Sequence, residues 1–469
     1  MDKAEEVLLN VKSPRLYFTG GLEVEISGQL SVFKGATVLV GPNASGKTVF
    51  ARILEKGRNF RTNNISFNAD HYPVVKYIEF NDIHNFAGIT ESYYQQRYES
   101  GMNDETPSIS ELIGSKCRSA EFLELLKEFN LQGIENKKIN FLSSGELRKF
   151  LIINALTENP DLLIIDNPYI GLDRPSREIL NKALGELKNK GRSFMLIVAD
   201  KEEAPQFTDR FIYANGMAVS SNERTAEDEN YSPFDFSGNS ESHDIETVCE
   251  MKDCTVNYGK SVILQKLNWK ILKGERWSLS GPNGSGKSTL LSLLNADNPK
   301  SYSNNLYLWG RKRGTGESIW DIKRHIGYVS PEMMLHFRGM ATVLQIVANG
   351  LNDTMGLYVK PTEDQIEKAK KWLEHFNISH LSDRLYSTLS AGERQLVMVA
   401  RSFIKEPLLL ILDEPMHALD RKNRMMVQKT LEDFLNCHPD STLIMVTHNP
   451  EELPSSINRH LKLKSRFEH

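Results

Sequence analysis

The sequence has 469 residues, of which 40% are apolar and 25% are charged, and its formal net charge is -4. This length exceeds what one ordinary hydrophobic core accommodates, so two or three domains are expected. The weak negative charge excludes a global basic field that would draw the whole protein to nucleic acid or to anionic lipid, and the sequence offers no clear nucleic-acid site.

The N-terminus reads MDKAEEVLLN and lacks the cationic start and apolar run of a secretory signal. The longest apolar runs, such as LLIID and LLLILD, are strand-sized and fall far short of the ~20 residues that cross a bilayer. We therefore expect no direct membrane insertion and a cytoplasmic location, at most peripheral on the inner face of the cell membrane. Any membrane process would need a second chain to do the crossing.

Three motifs occur twice along the chain, in the same order. They are GPNASGKT, LSSGE and LLIIDNP in the first half, and GPNGSGKST, LSAGE and LLLILDEP in the second. The glycine of the second motif precedes the aspartate of the third by 21 residues in both halves. This repeat predicts two domains of one fold over residues 8–219 and 247–469. The stretch 220–246, which is acidic and rich in Ser and Asn, is predicted to be a linker.

Within each half, apolar runs rich in β-branched residues alternate with helical patterns such as AEFLELLKEF and EDQIEKAKKWLEHF. Apolar strands that alternate with helices predict an α/β fold with a parallel sheet covered by helices. The stretch between the first glycine-rich motif and LSSGE is more polar and mostly helical in pattern. It is predicted to form a separate helical subdomain.

Both glycine-rich motifs fit GxxxxGK[ST], the pattern of a phosphate-binding loop. Its glycines allow backbone N–H groups to surround phosphates, and the following helix points its positive end at them. The candidate phosphate-binding residues are Gly41, Pro42, Asn43, Ala44, Ser45, Gly46, Lys47 and Thr48, then Gly281, Pro282, Asn283, Gly284, Ser285, Gly286, Lys287, Ser288 and Thr289. Lys47 and Lys287 are expected to reach the β- and γ-phosphates, while the hydroxyls of Thr48 and Ser288 bind Mg²⁺.

Asp166 and Asp413 end runs of aliphatic residues, where a carboxylate at a strand tip is expected to coordinate Mg²⁺. The next residue in the second half is Glu414, an acid that can orient or deprotonate an attacking water. In the first half it is Asn167, which cannot take a proton. The two halves are therefore predicted to differ in chemistry.

LSSGE and LSAGE each predict the start of a helix, with a glycine and then a glutamate in its first turn. The exposed N–H groups of such a start and the helix dipole favour an anion. The residues concerned are Ser143, Ser144 and Gly145 in the first half, and Ser390, Ala391 and Gly392 in the second.

Together these motifs resemble those of the ATP-binding cassette (ABC) ATPases, used in tandem over essentially the whole chain. The family's names for them are Walker A, signature and Walker B. The resemblance implies two fused P-loop domains, each a RecA-like parallel-sheet core with a helical subdomain, arranged head to tail as an intramolecular dimer. It also implies that ATP and Mg²⁺ bind where the Walker A of one domain meets the signature of the other.

Site one would combine the first Walker A and Asp166 with Ser390 and Gly392. Site two would combine the second Walker A and Asp413 with Ser143 and Gly145. Glu414 and Lys287 are assigned to catalysis at site two. Because site one has Asn167 in place of that acid and also lacks the histidine described next, we expect site two to hydrolyse ATP and site one to retain it.

Some residues outside these motifs also match individual functional positions of the family. Phe18 and Tyr258 each precede a Walker A by 23 residues and would stack on adenine, although each could equally be a core aromatic. His448 matches the switch histidine that contacts the γ-phosphate and is assigned to catalysis at site two. The corresponding turn of the first half carries Asp200, whose carboxylate would repel phosphate.

The glutamine loop is the least regular motif. Gln95 or Gln96 is expected to supply it in the first half, and the sequence leaves the choice open. The second half has Pro331 and Glu332 where a glutamine is usual, so Glu332 is the predicted substitute.

Three functions fit a tandem cassette. One is the ATP-binding component of a transporter whose permease is a separate membrane protein, and another is a regulatory or repair-type ATPase that has no permease. The third is a translation factor of the ABC-F kind. That group usually has a long basic helical linker and a glutamate after both Walker B aspartates, so the acidic linker and Asn167 make it the least favoured.

Overall fold

The computed structural model describes residues 6–18, 22–56, 65–67, 73–79, 107–139, 142, 144–169, 172, 174–223, 231–236, 246–258, 261–331, 333, 341–353 and 360–464. The chain divides into two compact units. Among the described residues, the first comprises those within 6–79 and 107–223 together with Ala418–Arg421, and the second comprises those within 231–417 and 422–464.

The first unit is built of short strands and helices. Its strands are β1 (Val7–Val11), β2 (Arg15–Tyr17), β3 (Glu23–Ser27), β4 (Leu30–Phe33), β5 (Ala36–Val40), β6 (Ile65–Phe67), β7 (Val75–Glu79), β8 (Leu162–Asp166), β9 (Phe194–Val198), β10 (Arg210–Asn215) and β11 (Ala218–Ser220). Its helices are α1 (Lys47–Lys56), α2 (Ile109–Ile113), α3 (Ala120–Glu128), α4 (Ser144–Leu156) and α5 (Arg174–Asn189). Short 3-10 helices lie at Gly114–Arg118, Ile134–Asn136 and Lys201–Glu203.

The largest sheet of the first unit has the strand order β2-β3-β11-β10-β5-β9-β8-β7. Strands β10, β5, β9, β8 and β7 run parallel to one another, whereas β4, β1 and β6 form a separate antiparallel sheet. Every residue of β5, β8 and β9 is buried, as expected for parallel strands covered on both faces. The carboxyl ends of these strands share one edge, which brings the first glycine-rich loop and Asp166 to the same edge.

The helical stretch predicted before LSSGE is confirmed within residues 107–139. Helix α2 begins with a capping box, in which the N–H of Glu111 donates to the hydroxyl of Ser108 and the carboxylate of Glu111 accepts from the N–H of Ser108. Ile109 and Phe122 are fully buried in the core that also contains Phe150 of α4. The stretch therefore packs onto the helix that LSSGE starts.

The second unit repeats this construction. Its strands are β12 (Thr247–Tyr258), β13 (Ser261–Leu272), β14 (Arg276–Ser280), β15 (Asn305–Leu308), β16 (Arg311–Lys312), β17 (Ile326–Val329), β18 (Leu409–Asp413), β19 (Thr442–Val446) and β20 (Arg459–Lys462). Its helices are α6 (Lys287–Leu294), α7 (Ile319–Lys323), α8 (Val343–Ala348), α9 (Glu363–His375), α10 (Ala391–Phe403) and α11 (Arg421–Cys437). Short 3-10 helices lie at Pro299–Ser303, Asn349–Asn352, Ser379–Leu381, Tyr386–Thr388 and Pro450–Glu452.

The two units share one sheet topology. The parallel sheet of the second unit has the order β17-β18-β19-β14-β20, which matches β7-β8-β9-β5-β10 of the first. Strands β13, β12, β15 and β16 form an antiparallel sheet beside it. The prediction of one α/β fold used twice is thus confirmed.

None of the helices in the described part of the chain combines the length and the apolar character needed to span a bilayer.

Part of the predicted linker packs on the second unit. Within residues 231–236, Phe234 stacks on Trp372 of α9, with the ring centroids 3.9 Å apart. Phe236 meets Phe434 of α11 edge-on at 5.6 Å. This short aromatic segment therefore joins two helices that are distant in sequence.

Replacing Phe234 with Ala is expected to lower the free energy of unfolding of the second unit by about 1–2 kcal/mol, through lost apolar burial and ring stacking. The measurement is denaturant unfolding followed by tryptophan fluorescence, since Trp372 reports the contact directly. Asp235→Ala, an exposed change in the same segment, is the control. Equal destabilisation by both substitutions would contradict the assignment of Phe234 as an anchor.

Candidate nucleotide-binding sites

The first glycine-rich loop turns between β5 and α1 and curls around its own lysine. The ammonium of Lys47 donates to the carbonyl oxygens of Gly41 at 2.5 Å and of Pro42 at 2.6 Å. Gly46 has a φ of 89°, a left-handed conformation that glycine adopts without strain. A Cβ on Gly41 would lie 2.1 Å from the carbonyl oxygen of Ala214, so only glycine fits there.

The second loop has the same geometry between β14 and α6. Lys287 donates to the carbonyl oxygens of Gly281 at 2.7 Å and of Pro282 at 3.2 Å. Gly286, the N-cap of α6, has a φ of 98°, and a Cβ there would lie 3.0 Å from a methyl carbon of Leu264. Each loop therefore leads directly into the N-terminus of a helix, where backbone N–H groups favour phosphate.

Two buried hydroxyls in these loops suit a ligand. Ser45 and Ser285 are 2% and 4% exposed, and neither hydroxyl makes a hydrogen bond with any residue that the structure describes. A buried polar group left without a hydrogen bond costs about 1–3 kcal/mol. Phosphate oxygens would accept from both hydroxyls, so the loops fit a nucleotide on an observation independent of the sequence motif.

Lys47 is buried, and burial lowers its pKa from 10.5 to about 8 although Asp166 and Asp420 oppose the change. Asp420 lies in Ala418–Arg421, a segment that belongs to the first compact unit. Its carboxylate accepts from the N–H of Asn43 at 2.8 Å. The loop therefore holds a costly charge that the phosphates of a nucleotide would stabilise.

Asp166, at the end of β8, accepts three hydrogen bonds. Thr48 donates to its Oδ2 at 2.8 Å, Tyr77 to the same oxygen at 2.7 Å, and the side-chain amide of Asn167 to Oδ1 at 2.7 Å. Burial raises the pKa of Asp166, while the bonds from Tyr77 and Thr48 act in the opposite direction. A hydroxyl next to a carboxylate is the hard oxygen donor set that suits Mg²⁺, so these residues fit the ion.

The second unit carries an acid where the first has Asn167. Asp413 ends β18 and is 6% exposed, and Glu414 follows it with a φ of 50°. The Nε2 of His448 lies 3.1 Å from Oε1 of Glu414. Burial alone would raise the pKa of Glu414, but the hydrogen bond of His448 and the charges of His417 and Lys287 outweigh it and lower that pKa. Glu414 is therefore held ionised beside the second loop.

Sequence reasoning missed the residue that holds the backbone of this turn. The side-chain amide of Gln395, on α10, donates to the carbonyl oxygens of Pro415 at 2.7 Å and of Glu414 at 3.3 Å. The sequence feature that could have pointed to Gln395 is its position in the first turns of the helix that LSAGE starts. The structure thereby links the signature helix to the Walker B turn of the same unit.

Both signature motifs start helices at the predicted places. Ser390 caps α10, and its hydroxyl accepts from the N–H of Glu393 at 3.4 Å while its own N–H donates to the Glu393 carboxylate at 2.7 Å. Ala391 and Gly392 form the first turn. Helix α4 begins at Ser144 with Gly145 next, whereas Ser143 lies outside the described residues.

The two predicted adenine-stacking aromatics are half-buried. Phe18 packs against a hydrophobic core of the first unit, with the Lys56 ammonium 5.8 Å from its ring centre. The hydroxyl of Tyr258 accepts from the side-chain amide of Asn298 at 2.8 Å. A role in adenine stacking stays a prediction for both.

The predicted glutamine-loop residues Gln95, Gln96 and Glu332 lie outside the described residues. Asp200, the counterpart of the switch histidine, follows β9 and is the N-cap of the 3-10 helix Lys201–Glu203.

Two parallel-sheet units, each with a phosphate-type loop, a strand-end aspartate and a signature helix, define an ATP-binding cassette repeated in one chain. The sequence model of the ABC transporter family matches residues 28–170 and again residues 264–417. The chain belongs to this family, and its resemblance to the ABC ATPases is confirmed.

Relatives that match most of the chain bear the names of ATP-binding proteins. The chain is 31% identical to the ABC transporter ATP-binding protein ModF of Escherichia coli over 449 residues, 90% of each chain. It is 29% identical to the uncharacterized ABC transporter ATP-binding protein C323.04 of Schizosaccharomyces pombe, again over 90% of each. Among solved structures, the archaeal ribosome recycling factor aABCE1 shares the fold at 19% identity, with a TM-score of 0.53 over 93% of this chain and 85% of that one.

Proposed function

We propose that this protein binds ATP with Mg²⁺ at two unequal composite sites formed by head-to-tail cassettes, and that it hydrolyses ATP at one of them. Site one joins the first Walker A to the signature helix α10, and site two joins the second Walker A to the signature helix α4. The difference between the sites rests on the residue that follows the strand-end aspartate. In the second unit Glu414 contacts His448 at 3.1 Å, whereas in the first unit the Asn167 amide donates to Asp166.

At site two, the ionised carboxylate of Glu414 orients the attacking water and accepts its proton. His448 holds that carboxylate in place, and the charge of Lys287 stabilises the triphosphate. Mg²⁺ would be held by the Ser288 hydroxyl and Asp413, and when bound it neutralises charge that develops on the phosphate oxygens.

At site one, the amide of Asn167 is a donor toward Asp166 and cannot accept a proton from water. We therefore assign site one to retention of ATP and site two to turnover. The hydroxyl of Ser390 already accepts a hydrogen bond from its own helix. The phosphates at site one would therefore be bound mainly by backbone N–H groups of α10.

Asn167→Ala is expected to leave ATP turnover within about twofold of the parent, because no proton passes through that residue. The measurement is steady-state phosphate release under saturating Mg²⁺ and ATP. Loss of most activity in this variant would show that the two sites have been ranked wrongly.

We further propose that hydrolysis drives a separate permease, because the related ModF is named as the ATP-binding protein of an ABC transporter. Purification in mild detergent from the native host tests this. A polytopic membrane protein that stays bound supports the proposal. Ribosomes in its place would support a translation role, and neither would support an ATPase that works without a permease.

A further inference from the structure

We propose that Tyr77, braced by an ion pair between Arg52 and Glu79, is a positioning residue that fixes Asp166 for Mg²⁺ at site one. This set of three residues, the brace, would make site one hold its metal and nucleotide more tightly than site two does. The inference rests on the proposed function, since it concerns how site one retains ATP.

The contacts of the brace form a continuous path to the metal carboxylate. The hydroxyl of Tyr77 donates to Oδ2 of Asp166 at 2.7 Å, in a buried setting. The guanidinium of Arg52 lies 4.8 Å from the centre of the Tyr77 ring and donates to Glu79 at 2.7 Å. The ion pair thus confines the ring, and the ring confines the carboxylate.

Local geometry explains why these side chains meet. Arg52 follows Thr48 by four residues on α1, so both lie on the same face of that helix. Tyr77 and Glu79 are two apart on β7 and point to the same side of the sheet. In the pairing of β7 with β8, Glu79 lies directly opposite Asp166.

The second unit provides an internal comparison, because its sheet has the same register. Tyr328 lies opposite Ile411 of β18, as Tyr77 lies opposite Ile164 of β8. The position that matches Glu79 is Ser330, one residue beyond β17.

The position that matches Arg52 is also a serine, Ser292, four residues after Ser288. Both serines are fully buried. Ser330 accepts from the N–H of Met333 at 3.2 Å, and Ser292 donates to the carbonyl oxygen of Thr289 at 2.7 Å. The Ser292 hydroxyl also accepts from the side-chain amide of Asn298 at 3.1 Å. The charged pair of the first unit is thus replaced by two hydroxyls that each bond other groups.

A hydrogen bond to a metal-binding carboxylate acts by fixing its orientation before the ion arrives. Loss of such an outer partner typically costs 10–100-fold in metal affinity. Site one has Asn167 where site two has the acid Glu414. A well-oriented Asp166 carboxylate at site one would therefore help to retain Mg²⁺ and its nucleotide without promoting hydrolysis.

The test uses the full chain with Lys287→Met, which silences site two, and Mn²⁺ as an EPR-visible probe in the presence of a non-hydrolysable ATP analogue. Tyr77→Phe in this background is expected to weaken Mn²⁺ binding about tenfold. The affinity for the analogue in EDTA should stay unchanged. If the substitution instead damaged the fold of the first unit, both the Mn²⁺ affinity and the affinity for the analogue in EDTA would fall.

A second variant keeps the test informative if the Tyr77→Phe change destabilises the sheet. The double change Arg52→Ser with Glu79→Ser gives the first unit the residues of the second and is expected to weaken Mn²⁺ binding several-fold. Exchanging the two charges, Arg52→Glu with Glu79→Arg, should restore part of it. Lys76→Ala on the same strand removes an exposed ion pair with Glu158 and is the control, with Mn²⁺ affinity unchanged.

The two proposals fail in different ways. If the Lys287→Met parent binds no Mn²⁺ with the analogue, retention at site one is wrong and the brace falls with it. If the parent binds Mn²⁺, and both Tyr77→Phe and the double change to serine bind it equally well, only the proposed role of the brace is overturned.

Discussion

Replacement of Glu414 by Gln is expected to lower steady-state ATP hydrolysis by about 10²–10⁴-fold, the contribution typical of a positioned general base. Glutamine keeps the size of the side chain and its contact with His448 but cannot accept a proton from water. Phosphate release measures the loss. Affinity for ATP should be kept, because the phosphate loop and Lys287 are untouched.

Asn167→Ala is the matched control for Glu414→Gln, since both residues directly follow the Walker B aspartate of their unit. A large loss at Glu414 with little change at Asn167 is the expected pattern. Full ATPase activity in Glu414→Gln would contradict the assignment of the base.

Replacement of Lys47 by Met is expected to stabilise the nucleotide-free protein and to abolish nucleotide binding at site one. The lowering of the Lys47 pKa from 10.5 to about 8 corresponds to about 3 kcal/mol spent on keeping the buried ammonium charged at neutral pH. Methionine fills a similar volume without a charge. The stability of the nucleotide-free protein and its affinity for phosphate therefore change in opposite directions.

The pH dependence follows from the same lowered pKa. Below pH 8, Lys47 is charged in both the folded and the unfolded chain, and the folded state bears the full cost. Between pH 8 and 10.5 the unfolded chain binds more protons, so the parent gains stability relative to the variant as pH rises. The advantage of Lys47→Met should therefore be largest below pH 8 and should vanish near pH 10.5.

Thermal unfolding without nucleotide, at pH 7 and at pH 10, measures this difference. Lys56→Met, at the exposed end of the same helix, is the control and should show no such dependence. A Lys47→Met variant less stable than the parent at pH 7 would show that the hydrogen bonds of Lys47 to Gly41 and Pro42 outweigh its burial.

Much of the architecture followed from the repeat, because each motif marks a place where a strand or helix must begin or end. The aspartates predicted at strand tips do end β8 and β18, and the signature motifs do start α4 and α10. These features depend on local sequence alone, so a single chain suffices to locate them.

The brace was not predicted, because it depends on register. Nothing in the letters VVKYIEF indicates that Tyr77 and Glu79 lie beside Asp166 until the pairing of β7 with β8 is known. The repeat did contain a usable signal. The positions that match Arg52 and Glu79 in the second half are both serine, which shows that the two charged residues differ between the halves together.

The stretch 220–246 shows a different limit. Its average composition predicted a linker, and Tyr231, Phe234 and Phe236 were hidden in that average. Aromatic side chains of this segment nevertheless pack against Trp372 and Phe434, which are both buried. Here Tyr231 also donates its hydroxyl to Asp433 at 2.7 Å.

The central claim, that each triphosphate is bound by a loop from one half and a helix start from the other, is most directly tested by a structure of Glu414→Gln with ATP and Mg²⁺. The account predicts two ATP molecules, each touching one Walker A and the opposite signature, with Ser390 near the nucleotide of the first loop. Cassettes that remain apart, with ATP held by its own loop alone, would contradict it.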